Sequence, residues 1–333
     1  MTKTVNQVTI AIPVRDEGTR IGRLLAALAE AAQGCGASVS ALVLANDCVD
    51  DSIAVAQSFS HPALRVRIRE MRFPTGLASA GKARRVAMDM AVQPGGLLMT
   101  TDADAVPNRN WIAAALEAVR AGADLVCGAI TAEAPHVLAT RSGARITKAE
   151  IAHAALQNEI RHGLDQIAGR QPMGGVRPHY VESGASMAIR ADSYISIGGL
   201  PARDHSEDRA LVHLAEMKQL RICYASSMTA RVSARLNGRA EGGMAACLRH
   251  RMQHQNPLAD QAMLPPELLQ RMWAEAMATG HAPYPCRCDP PGLRLRASDL
   301  EAAYPALCAL VEQTVRPDIA RLAQSGRVAL VAQ

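Results

Sequence analysis

A short apolar run that ends in two acids constrains this chain more than any other feature: Leu97-Leu98-Met99-Thr100-Thr101-Asp102-Ala103-Asp104-Ala105-Val106-Pro107. Residues 97–101 read as a strand buried on both faces, because the run is short, apolar and preceded by the Gly95-Gly96 turn signal. Side chains alternate along a strand, so Asp102 and Asp104 are expected on one face with only Ala103 between them. Two hard oxygen ligands at a strand end suit Mg²⁺ or Mn²⁺, which take few protein groups and leave positions open for a substrate's phosphates. An Asp-x-Asp pair alone fits a solvated loop cap equally well, so the flanking sequence has to decide.

Strand and helix signals alternate around it. Val8-Thr9-Ile10-Ala11-Ile12 is a β-rich run ended by Pro13, and Ile21, Leu24, Leu25 and Leu28 follow at i, i+3, i+4, i+7. A strand over 39–45, the polar turn Asn46-Asp47-Cys48-Val49-Asp50-Asp51 and a helix over 53–59 make a second unit. Leu64 to Arg69 alternates as a half-covered strand does. Ala83, Val86, Ala87 and Met90 then place an apolar stripe on a helix ending before Pro94, and a helix near 111–119 and a strand over 125–130 complete the series. The alternation predicts an α/β fold with a mostly parallel twisted sheet and helices on both faces, whose ligands bind beyond the carboxyl ends of the strands. Arg15-Asp16-Glu17, Asn46-Asp47 and Asp102-x-Asp104 all fall at such ends.

Composition removes several function classes. At 333 residues, 49% hydrophobic and 20% charged, the chain is an ordinary globular protein with a full core. No run approaches the roughly 20 apolar residues of a membrane span, and residues 1–7 lack an apolar secretory core. The expectation is a cytoplasmic protein without a transmembrane segment, with peripheral membrane contact and homodimerisation left open. Eight cysteines show no Cys-x-x-Cys pair, which disfavours a zinc site or a disulfide framework. The net charge of +5 is modest and aromatics make up 3%, so there is little platform for stacking nucleic-acid bases.

The motifs together resemble the inverting family 2 glycosyltransferases of the GT-A fold. Val8 to Glu17 resembles their opening strand, Ile-Pro and acidic pair; Asn46 to Ser52 their nucleoside-contacting turn; Gly81-Lys82-Ala83-Arg84 their Gly-Lys segment; and Thr101 to Pro107 their metal motif with its trailing Val-Pro. Glu182 to Arg190, followed by Gly198-Gly199-Leu200-Pro201, is similar to their acceptor-side strand and turn, and Ser206-Glu207-Asp208 to their Glu-Asp motif. The resemblance covers residues 8–243. It implies a GT-A domain over 1–255, with a nucleotide-binding half (1–130) and an acceptor half (131–255), followed by a helical extension over 256–333.

The activity implied is hexosyl transfer from a nucleotide-sugar donor to an acceptor hydroxyl. Negative charge grows on the leaving diphosphate, and Mg²⁺ or Mn²⁺ held by Asp102 and Asp104 would stabilise it. Lys82, Arg84 and Arg85 lie at a loop-to-helix junction, where amides and cations favour phosphate, or else form a solvated helix face. Donor contacts are implied for Pro13, Arg15, Glu17, Asn46, Asp47, Lys82, Arg85, Asp102, Ala103, Gly184 and Arg235. Asp208, with Glu207 beside it, is the implied catalytic base. Ser206 is placed to cap the helix carrying Leu211, whose dipole would keep the first-turn acids ionised, although acids there also serve simply as caps. The loop Ser233 to Gly243, including Arg235 and Arg239, looks like a closure over the diphosphate.

The remaining segments read as packing. An insert over 131–180 carries a helix over about 148–167 and is expected to shape the acceptor pocket; its His153 and His162 lack metal-ligand spacing. Leu269, Met272, Trp273 and Ala276 form one stripe, and Leu300, Ala303, Tyr304, Leu307 and Val311 another, on a helix expected to start at Ser298 with Glu301 completing a capping box. Three rival readings fit single motifs: a haloacid-dehalogenase-like phosphatase (Asp102-x-Asp104 with Asp204 and Asp208), a sugar nucleotidyltransferase, and a non-catalytic nucleotide-sugar-binding homologue. The first lacks its nucleophile after the first strand, and the second lacks a glycine-rich first loop.

Overall fold

The computed structural model describes residues 5–74, 76–238 and 243–331. The chain divides into two compact units, one built from 1–133 with 179–246 and the other from 134–178 with 247–333. The first unit runs β1 (Gln7–Val14), α1 (Gly18–Ala32), β2 (Ser38–Asn46), α2 (Ser52–Ser58), β3 (Arg65–Met71), α3 (Ala80–Ala91), β4 (Leu97–Thr100), β5 (Val106–Pro107), α4 (Trp111–Arg120) and β6 (Leu125–Ala132). After α5 (Pro135–Leu138) and α6 (Arg141–Ile167) of the second unit, it resumes with β7 (Met187–Arg190), α7 (Ala191–Ser196), α8 (Glu207–Met217) and β8 (Ile222–Val232).

The eight strands form one sheet in the order β3-β2-β1-β4-β7-β6-β8-β5. It is mixed but mostly parallel: β7 runs antiparallel to both β4 and β6, and β5 antiparallel to β8. Both faces are covered, and β4 shows why. Leu97 and Met99 join Ile21, Leu24 and Leu28 of α1 and Trp111 of α4, whereas Leu98 joins Ala87 and Met88 of α3 and Leu211 of α8. Each such large apolar side chain contributes roughly 1.5–3 kcal/mol on burial.

Two details at the strand ends bear on the site. β1 does not stop at Pro13 as expected; it pairs with β2 as far as Val14. Ala11 O accepts from Thr101 N on the β4 side, so the nitrogen of Pro13, two residues on, faces the same side after β4 has ended, where a missing donor costs no ladder bond. Because β7 is antiparallel to β4, with Thr100 opposite Met187, the residues just before β7 meet those just after β4.

The second unit is helical: α5, α6, most of α9 (Met244–Gln253), α10 (Pro266–Thr279), α11 (Ala297–Leu310), a π-helical turn at Val311–Val315 and α12 (Arg316–Val331). Ile160, Leu164, Leu269, Trp273, Ala276, Leu307 and Val311 make its core, and Trp273 Nε1 donates to Asp318 Oδ2 at 2.8 Å. His153 and His162 each face a backbone carbonyl, Leu264 O and Gly175 O. The cap of α11 is Arg296, two residues before the expected Ser298, so Asp299, not Glu301, takes the capping position and accepts from Arg296 N at 2.8 Å; Glu301 instead pairs with Arg145. No described helix is long and apolar enough to cross a membrane.

Candidate active site

β4 ends before the acids arrive. Asp102 to Ala105 form a turn closed by Ala105 N donating to Asp102 O at 3.1 Å, so strand alternation never aligns the two carboxylates. The expected common strand face is thereby corrected: Asp102 Oδ1 lies 2.5 Å from Arg84 Nη2, and Asp104 Oδ2 lies 3.4 Å from Arg235 Nη2. The acids still sense each other. Burial, then the charge of Asp102, push the Asp104 carboxyl up to about 6, with Arg235 opposing and Glu17 adding to the rise. Ala103 between them is buried.

Arg84 turns inward and not toward a phosphate. It is 6% exposed, and its Nε donates to Glu207 Oε1 at 2.8 Å, its Nη1 to Thr100 Oγ1 at 3.0 Å and Gly184 O at 2.9 Å, and its Nη2 to Asp102. Burial works against the charge, but Asp102 and Glu207 hold the guanidinium well above its ordinary pKa. The signal was available in the sequence: position 84 shares a helical face with Ala87, Met88 and Ala91, all buried, whereas Met90, expected on the buried stripe, is 45% exposed. Arg85 has Nη1 on Leu200 O at 2.5 Å and Nε 3.4 Å from Asp89. Lys82 sits in the first turn of α3, capped by Ser79, and its Nζ is 2.9 Å from Asp204 Oδ1.

The acid pair of α8 closes the arrangement. Glu207 and Asp208 occupy its first turn as expected, but Ser206 is left-handed (φ 58°) and lies against His205 without capping the helix. Asp208 accepts from Gly184 N through Oδ2 at 2.9 Å and from Arg209 N through Oδ1 at 2.8 Å. The helix dipole does not keep this acid at an ordinary value: burial, then Glu207, raise it to about 6. Two glycines make room for the network. A Cβ on Gly184 would lie 2.5 Å from Arg84 Cζ, and one on Gly81 would strike Arg203 O and lie 3.1 Å from Glu207 Oε2.

On the other side of the acids, the ends of β1 and β2 collect the remaining candidates. Glu17 is buried, donates its N–H to Ser52 Oγ at 2.7 Å, and is held in bidentate fashion by Arg235, with Nη1 to Oε2 at 2.8 Å. Asn46 is buried at the end of β2; Asp47 (φ 50°) accepts from Phe73 N through Oδ1, while its Oδ2 is buried with no hydrogen-bond partner among the described residues. Pro13 lies in β1 and Arg15 is exposed just beyond it. Asp16, Cys48 and Asp50 bring ligand-type atoms within 4.8 Å of one another, but Asp16 accepts from Val49 N and Asp50 from Gly18 N and Ser52, so these acids order the turn. An open cleft beside Asp104 is lined by Arg23, Val106, Glu133, Arg231 and Ser233. Arg239 and Gly242 lie outside the described residues.

The profile of glycosyl transferase family 2 matches residues 9–173. No curated protein matches the sequence significantly. Among solved structures, the mannosyltransferase PcManGT from Pyrobaculum calidifontis, in complex with GDP-Man and Mn²⁺, superposes with a TM-score of 0.52 at 18% identity, over 99% of this chain and 82% of that one. TarS from S. aureus, in complex with UDP-GlcNAc, gives 0.47 at 14% identity, over 82% and 67% of the two chains. Glucosyl-3-phosphoglycerate synthase from Mycobacterium tuberculosis, in complex with Mg²⁺ and UDP, gives 0.42 at 13% over 74% and 78%. The first of these likenesses carries the GT-A fold, and the profile match across the strands and motifs that build the site carries the family: the chain belongs to glycosyl transferase family 2.

Proposed function

We propose that this protein transfers a sugar from a nucleotide-sugar donor to an acceptor hydroxyl with inversion, using Asp208 as the base. The observation that carries the reading is that Asp102 after β4 and Glu207 on α8 both meet the buried Arg84, which bonds to the same Gly184 that donates to Asp208. In the reaction the acceptor oxygen bonds to the anomeric carbon, the bond from that carbon to the diphosphate breaks, and the acceptor proton passes to a carboxylate oxygen of Asp208. A carboxyl near 6 is better matched to that proton transfer at neutral pH than an ordinary aspartate would be.

The residues fit a divalent cation. Glu17, Asp102, Asp104 and Glu207 each pair with Arg84 or Arg235, with Asp208 beside Glu207, so five carboxylates face two guanidinium groups; Asp104 is raised first by burial and then by the charge of Asp102. Asp102 and Asp104 would hold Mg²⁺ or Mn²⁺, which when bound would offset the charge of the leaving diphosphate. The Mn²⁺ in the mannosyltransferase complex whose fold this chain shares supports that choice. Asp47, with an unmet buried acceptor at the end of β2, and the neighbouring Asn46 and Arg15 would meet the nucleoside; Lys82, Ala103, Gly184 and Arg235 would line the diphosphate and sugar. Eight free cysteines suit a reducing cytoplasm.

A thermal-shift screen of nucleoside diphosphates and nucleotide sugars with and without Mn²⁺ tests the reading. A binder at a hundred times its Kd stabilises the folded state by about 2.7 kcal/mol. Asp102→Asn should abolish the Mn²⁺-dependent part of the shift. Absence of any nucleotide-induced shift in the wild type removes the proposal, and an unchanged Mn²⁺ response in Asp102→Asn removes the metal assignment.

A further inference from the structure

We propose that Arg84 is a positioning residue for this reaction: its guanidinium fixes the donor-side acid Asp102 and the base Asp208 relative to one another. The inference rests on the transferase reading above and adds a residue to which that reading gives no role.

Arg84 is the one side chain among those described at the site that bonds to all the segments that must agree. Its four contacts come from the end of β4 (Thr100 Oγ1), the turn after it (Asp102 Oδ1), the residue before β7 that touches the base (Gly184 O) and the first turn of α8 (Glu207 Oε1). Asp208 is reached by two short routes. Residue 184 accepts from Arg84 through its carbonyl and donates to Asp208 through its amide, and Glu207 precedes Asp208 in the chain. Nothing local joins these pieces, since 16 to 123 residues separate Arg84 from its partners.

Stability alone is a poor reason for this construction. A buried ion network often contributes no more than a well-packed apolar cluster of equal volume, because the charges must be stripped of water. A planar guanidinium with fixed donor directions is suited to a different task, setting angles and separations among several acceptors at once. The packing is shaped to it: Gly184 leaves no Cβ where Arg84 Cζ lies, and Gly81 leaves none beside Glu207. An ammonium on a flexible stem would keep the charge and lose the fork.

The test compares wild type, Arg84→Lys and Thr100→Val on the nucleotide sugar that binds best in the screen. Thr100→Val removes one acceptor of Arg84 with almost no change in shape and leaves every acid in place. Arg84→Lys should lower kcat about 100-fold, the cost of a misplacement of about 1 Å, with KM for the donor changed less than threefold. Thr100→Val should lower kcat about tenfold with the same KM. Amide exchange at Gly184 in the ligand-free protein gives a readout without turnover, and should quicken at least tenfold in Arg84→Lys. Wild-type kcat in Thr100→Val together with wild-type exchange at Gly184 in Arg84→Lys would overturn the inference, as would a loss confined to KM. A wild type that binds no nucleotide overturns the transferase reading and this inference with it; a wild type that binds and variants that match it overturn the inference alone. Should Arg84→Lys fail to fold, the Thr100→Val kinetics decide.

Discussion

Replacing Gly184 by alanine is the most direct probe of how tightly the site is built. The added Cβ would stand 2.5 Å from Arg84 Cζ and 2.6 Å from Nε, where ordinary contact begins at 3.4 Å, so the guanidinium must yield about 0.9 Å. A shift of that size away from residue 184 stretches the 2.9 Å bond to Gly184 O and the 3.0 Å bond to Thr100 beyond hydrogen-bonding range. Two bonds from a charged donor are worth about 1.5–3 kcal/mol each, and with partial relaxation a net loss of about 3 kcal/mol is expected. For a unit of this size that lowers the melting temperature by about 6–12 °C. Gly22→Ala is the matched control. Its Cβ meets only Val55 Cγ1 at 3.5 Å, inside α1, so alanine should stabilise by about 0.5–1 kcal/mol. Differential scanning fluorimetry on the purified variants reads both signs. A fall of less than about 2 °C in Gly184→Ala, or a fall in Gly22→Ala as large, would refute the packing argument.

Three further outcomes follow from the same geometry. Because Asp208 must be ionised to accept a proton and its carboxyl is raised to about 6, transfer should be flat at neutral pH and fall as pH drops through about 6; an acid limb near 4 would contradict the assignment. Asp208→Asn should bind the donor as wild type does and reduce transfer at least 100-fold in a nucleotide-release assay, and full activity would remove it as the base. Trp111→Phe loses the 2.9 Å bond from Nε1 to Ser186 Oγ inside a fully buried site, and chemical denaturation should show a loss of about 2–3 kcal/mol.

Much of the first unit was legible because burial there obeys simple periods. Ile21, Leu24, Leu25 and Leu28 are all buried, and the acids do follow the fourth strand. What periodicity could not supply was direction. The sequence around Met187 reads as a strand, but nothing in it says that this strand runs against its neighbours, and it is that reversal which brings Gly184 beside Asp102. Arg84 fits neither the phosphate contact nor the solvated helix face that a cation after Gly81-Lys82 suggests, because its spacing from Ala87, Met88 and Ala91 points it to the interior. Ser206 shows the limit of residue preferences, since a serine at a helix start caps only if its backbone is extended, and here it is left-handed. Glu301 shows how two residues of uncertainty in a helix start reassign a cap to Asp299.

The clasp between Glu17 and Arg235 joins residues 218 positions apart, and Arg84 reaches Glu207 across 123. Loops of that length close late, since chain entropy has to be overcome before any reward is collected. During synthesis the early strands and α1 can therefore assemble while Glu17 and Asp104 still lack their guanidinium partner and Arg84 still lacks Glu207. Half-made protein would carry a clustered, repelling set of acids at its rim, loosely ordered and incompetent, and chemical competence would arrive as one of the last events of maturation. A nascent-chain length series should show protease resistance in the first strands well before any nucleotide is retained.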